Sequence, residues 1–86
     1  MNINQLIKIV EKKLKKNMEI EFLKIEDKSI LHKKHKSNEE GKFHLKLTIR
    51  SKELSKTSKI NAMRVIYKIL DEELKKYIHS LQILIN

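Results

Sequence analysis

Cysteine, proline and tryptophan are absent from this 86-residue chain, and glycine occurs once. Without cysteine there is no disulfide, no zinc ribbon and no four-thiolate iron–sulfur cluster held by the chain itself. That suits a reducing compartment, and the reading is cytoplasmic. A single glycine, Gly41, cannot build a glycine-rich phosphate loop. The patterns of a nucleophile elbow and of a zinc protease helix are missing as well. No apolar run approaches the roughly 18 residues that span a bilayer, so no membrane segment is expected. The opening M-N-I-N-Q has no basic region ahead of an apolar stretch and reads as no secretory signal. Arginine is scarce too, present only as Arg50 and Arg64.

What is present is lysine, with a net charge of +9 and a pI of about 9.8. A basic balance of this size suggests nucleic acid or an anionic surface. Base and phosphate recognition, however, favours the bidentate fork of arginine. We weigh solvated lysine faces above a dedicated nucleic-acid surface. With 40% hydrophobic and 36% charged residues the chain can fold, and its length suits one domain, 1–86, with one modest core.

Apolar residues Ile3, Leu6, Ile7, Val10 and Leu14 recur at the spacing of one helix face over residues 2–16. Asn2 or Asn4 can cap its start. Residues 18–26 alternate as Met18, Ile20 and Phe22, then change phase to Leu23 and Ile25. A strand with a bulge or bend near Phe22 accounts for that. Residues 27–42 form a polar loop carrying His32 and His35. In residues 43–50, Phe43, Leu45, Leu47 and Ile49 alternate with His44, Lys46, Thr48 and Arg50, the pattern of a half-buried strand.

Ser51 to Leu54 reads as a connection. Ile60, Met63, Ile66, Tyr67 and Leu70 then have helical spacing, with Thr57 or Ser58 as cap. The acidic run at Asp71 suits the start of a further helical segment, to about Tyr77. Leu81, Ile83 and Ile85 alternate in a third strand, expected to close the molecule at Asn86. The order is αββααβ, an α+β arrangement with a three-stranded sheet and helices on one face. The expected core includes Ile7, Val10, Ile20, Leu45, Leu47, Ile66, Leu70, Leu81 and Ile83.

Catalytic groups are thin. Glu39 with Glu40, and Asp71 with Glu72 and Glu73, are read as solvated charge or helix capping, and no serine is tied to a base. We therefore read no enzyme. Histidine is the commonest metal ligand in its neutral form. Taken singly, His32 and His35 are loop residues, His44 is a surface or cross-strand residue, and His79 is a half-buried residue at a strand edge.

Taken together, E-F-L-K-I-E-D-K-S-I-L-H, G-K-F-H-L-K-L-T-I-R-S, M-R-V-I-Y-K-I-L-D-E-E-L and I-H-S-L-Q-I resemble the BolA-like family in order and spacing. The resemblance covers nearly the whole chain. It implies a class II KH-like fold, which agrees with the derived element order. It also implies partnership with a monothiol glutaredoxin and a shared, bridging [2Fe-2S] cluster. In that family the glutaredoxin gives a cysteine and bound glutathione. The BolA-like protein gives a C-terminal histidine and a loop histidine or cysteine. Here the C-terminal ligand falls on His79, and the loop ligand on His32, with His35 as second choice. Mixed cysteine and histidine ligation of such a cluster is established chemistry. No cofactor is required for folding, and the chain alone is expected to be a monomer.

Many relatives carry an Arg-His-Arg run in the second helix. Here Ala62-Met63-Arg64 stands instead, and only Arg64 survives. The competing function is a nucleic-acid-binding transcriptional regulator of BolA type, resting on Lys52, Lys56, Lys59, Arg64 and Lys68. A KH domain grips nucleic-acid backbone through a GXXG loop, which a chain with one glycine cannot supply. Nucleic-acid binding is therefore expected to be weak.

Overall fold

The computed structural model describes residues 1–29 and 42–86. His32 and His35 lie outside the described residues. Helix α1 runs Ile3–Asn17, strands β1 and β2 run Phe22–Asp27 and Phe43–Arg50, and a one-turn helix α2 covers Lys52–Ser55. Helices α3 and α4 follow at Lys59–Ile69 and Asp71–Lys76, and strand β3 runs Ile78–Ile85. The order is the expected αββααβ with one extra turn, because residues 52–55 coil where a plain connection was expected.

The starts of α1, α3 and α4 have local causes. Asn2 caps α1 by accepting from the Gln5 amide, and the Gln5 side chain accepts from the Asn2 amide in return. Ser58 caps α3 by accepting from the Asn61 amide at 3.2 Å. The acidic run Asp71, Glu72 and Glu73 fills the first turn of α4, where the helix dipole favours negative charge.

The sheet order is β1-β2-β3, with β1 antiparallel and β3 parallel to the central β2. Leu6, Val10 and Leu14 of α1, with Ala62 and Ile66 of α3 and the adjoining Leu70, close over Leu45, Leu47, Ile49 and Ile83 to form the core. A fully buried leucine or isoleucine contributes about 1.5–3 kcal/mol, so this layer contact carries most of the stability.

The core differs from expectation at its margins. Leu6 is buried on α1 where Ile7 was expected, because the stripe follows the four-residue row Leu6, Val10, Leu14. Ile7, Ile20 and Leu81 are only partly buried. Ile60 and Tyr67 are exposed, and Ala62 instead leads the buried row of α3 toward Ile66 and Leu70. The phase change near Phe22 is no bulge. Met18 to Glu21 connect α1 to β1, and the β1–β2 register is regular from Phe22↔Arg50 to Asp27↔Leu45.

Candidate functional site

The irregularity in the sheet sits instead between β2 and β3. Phe43 pairs with Ile78, but His44 pairs with Ser80, so His79 is an inserted residue. The hydrogen bonds mark the slip, with the Phe43 amide donating to the Tyr77 carbonyl at 2.9 Å. A bulge of this kind re-aims a side chain. In a regular strand His79 would share the face of Leu81 and Ile83. Instead its ring lies 4.8 Å from that of His44, centroid to centroid, with the planes tilted by 59°.

His44 is held on several sides. Its Nδ1 is hydrogen-bonded to Ser80 Oγ at 2.6 Å, its amide donates to Ser29 Oγ at 3.1 Å, and its carbonyl accepts from the Lys28 amide at 2.7 Å. It is 6% exposed, so the expectation of a surface residue fails, while that of a cross-strand residue holds. The cause is this set of neighbours at the end of the sheet.

The acidic residue and serine ahead of the loop now have visible tasks. Asp27 Oδ1 accepts from the Ser29 amide at 3.0 Å, an Asx turn that ends β1. Ser29 then ties the departing chain to the backbone of His44. The loop thus leaves the sheet at the end where His79 stands.

His79 is exposed, and among the described residues neither ring nitrogen has a hydrogen-bond partner. A buried structural histidine is ordinarily bonded. His79 is instead an exposed imidazole packed against the ring of His44. Among the described residues no group of three or more His, Cys, Asp or Glu side chains could hold a metal ion. One available imidazole fits a site completed by groups from elsewhere and does not fit a self-contained metal centre.

The five cations of the alternative reading lie along one continuous segment. Lys52 belongs to α2, Lys56 to the turn after it, and Lys59, Arg64 and Lys68 to α3. All five are exposed, and none forms an ion pair among the described residues. No helix among the described residues is long and apolar enough to cross a membrane.

Sequence reasoning passed over Lys13 and read Glu73 as solvated charge or helix capping, whereas the two form a pair between α1 and α4. Glu73 is buried in α4, and its Oε2 accepts from Lys13 Nζ of α1 at 2.6 Å. That hydrogen bond, helped by the charges of Glu73 and Glu72 and opposed by burial, holds the Lys13 pKa above the ordinary lysine value of 10.5. The pair pins α4 just ahead of β3 and His79. The only sequence signal was an acidic helix start, which reads equally as capping.

Comparison with known proteins gives a consistent picture. A family model described as BolA-like protein matches residues 14–86. A protein of Haemophilus influenzae named DNA-binding transcriptional regulator BolA is 37% identical over 81 residues, covering 94% of this chain and 73% of its own. The BolA domain of SufE1 from Arabidopsis thaliana superposes with a TM-score of 0.80 at 28% identity, covering 100% of this chain and 93% of its own. BolA1 from the same plant gives a TM-score of 0.78 at 30% identity, covering 92% of this chain and 87% of its own.

Proposed function

Because this chain belongs to the BolA-like family, we propose that it is a non-enzymatic iron–sulfur accessory protein that binds a monothiol glutaredoxin. The two proteins share a bridging [2Fe-2S] cluster, for cluster trafficking or iron-linked regulation. The observation that carries this reading is His79, exposed on a bulge, packed against a fixed His44, with both ring nitrogens unbonded among the described residues.

Each residue has a task. His79 would offer an imidazole nitrogen to iron. His44 and Ser80 fix the wall against which that ring packs, as supporting residues do around metal ligands. Asp27 and Ser29 start the loop beside His44. His32 is the proposed loop ligand, with His35 as second choice. The partner supplies a cysteine thiolate and glutathione, which a cysteine-free chain cannot. The cluster supplies the redox and iron chemistry. Titrating the protein into cluster-loaded monothiol glutaredoxin tests the reading. A new visible circular dichroism spectrum saturating at one equivalent supports it, and an unchanged spectrum rejects it.

A second reading rests on the exposed row Lys52, Lys56, Lys59, Arg64 and Lys68, without ion pairs among the described residues, and on the name of the Haemophilus relative. It is a nucleic-acid-binding regulator. Four lysines and one arginine contact phosphate better than they read bases, so this reading ranks second.

A further inference from the structure

The two edges of the sheet are built differently. β1 carries Lys24, Glu26 and Asp27 within six residues. β3, I-H-S-L-Q-I-L-I, has no lysine, arginine, carboxylate or proline in eight. Charge and proline are the usual devices by which an edge refuses another strand. The bulge at His79 blunts only the first part of β3.

The hydrogen-bond phase shows what the remaining edge offers. The Asn86 amide donates to the Ile49 carbonyl at 3.0 Å. In a parallel ladder alternate residues bond inward, so Ser80, Gln82 and Leu84 face β2. Leu81, Ile83 and Ile85 direct their N–H and C=O groups outward. Among the described residues their one outer partner is Tyr67 Oη, which donates to the Leu81 carbonyl at a long 3.5 Å.

Helix α3 flanks this edge through Tyr67. It contains no acidic residue, and Arg64 and Lys68 beside Tyr67 are exposed and form no ion pair among the described residues. Ile60, 65% exposed and two helical turns before Tyr67 on the same face, adds apolar surface. An uncharged strand edge beside a cationic, partly apolar helix matches the arrangement in which extended peptides add to a sheet. Its charge selects the occupant. A second copy of a chain of net charge +9 would set Arg64 and Lys68 against their like, whereas an acidic segment is attracted. A nucleic-acid strand would meet the cations but leave the outward backbone groups of Ile83 and Ile85 without a matching ladder.

We propose that the outer edge of β3, from Leu81 to Ile85, takes an extended acidic segment of a partner protein as a fourth strand, lying beside α3. The test uses ¹⁵N-labelled protein and an acetylated, amidated synthetic peptide, Asp-Val-Glu-Val-Asp-Ile-Glu. The expected result is that the amides of Leu81, Ile83 and Ile85 shift and their hydrogen exchange slows at saturating peptide. The Arg64→Glu/Lys68→Glu double variant, both changes being on exposed side chains, weakens binding about tenfold or more through like-charge repulsion. Three results overturn the proposal: unperturbed amides at those positions, a ten-nucleotide oligothymidine shifting them where the peptide does not, or a concentration-dependent dimer in sedimentation that protects them without peptide.

Discussion

The imidazoles of His44 and His79 meet at 4.8 Å, centroid to centroid, across a bulge that occurs where β2 and β3 begin. His44 is fixed by Ser80 Oγ at 2.6 Å. Ser80→Ala takes the partner from a buried ring nitrogen and should destabilise the fold by about 1–3 kcal/mol. Ser80→Thr keeps the hydroxyl and should cost much less. Urea denaturation of the two variants measures the difference, and equal stabilities would deny the bond a structural role.

The strands and helices were legible because β2 alternates with period two and α1 with period near four. The register between β2 and β3 was not. Parity alone places His79 with Leu81 and Ile83, on the face of the helices. One inserted residue reverses that placement, and its origin lies in pairing between residues far apart in sequence. His44 was placed correctly as a cross-strand residue but not as a buried one, because an alternating strand predicts a solvated outer face and cannot show that Ser80, Ser29 and His79 converge on one position. The caps of α1 and α3 were readable to two candidates each, Asn2 or Asn4 and Thr57 or Ser58, since capping is local, and the structure selects Asn2 and Ser58. The Lys13–Glu73 pair was not, because it joins residues 60 apart.

Leu47 is fully buried in the central strand. Leu47→Ala should cost about 2–5 kcal/mol, the transfer free energy of the removed atoms plus the cavity left behind. The midpoint of urea unfolding should fall with little change in slope. A loss below about 1 kcal/mol would place Leu47 outside a rigid core.

Lys13→Met leaves the Glu73 carboxylate buried without its cation and should cost about 1–3 kcal/mol, less than for a fully buried pair because Lys13 keeps a water-facing side. Lys13→Met/Glu73→Leu should recover most of the loss. The pH dependence follows from the raised Lys13 pKa. The contribution of the charged lysine is complete below the ordinary value of 10.5 and is lost as pH rises through the raised folded value. Wild-type stability should therefore fall more steeply than that of the double variant in this alkaline range. Parallel curves from thermal melts across it would contradict the account.

Binding to DNA or RNA should be weak, tolerant of sequence and steeply salt-dependent, because lysines contact phosphate without reading bases. Fluorescence anisotropy with several unrelated duplexes at two salt concentrations measures this. Tight binding to one sequence at physiological salt, abolished by Arg64→Ala, would promote the regulator reading over the cluster reading.

The central claim is that His79 ligates iron in a cluster shared with a glutaredoxin. Pulsed electron paramagnetic resonance of the reduced complex tests it most directly, with ¹⁵N placed only in the histidines of this chain. The account predicts a ¹⁵N coupling of the strength of a directly bound imidazole, present in the wild-type complex. In His79→Ala, with the fold intact by circular dichroism, that coupling is lost or replaced by the weaker signal of the loop ligand. His32→Ala should act more mildly, because His35 can take its place. A wild-type coupling that persists unchanged in His79→Ala would contradict the assignment.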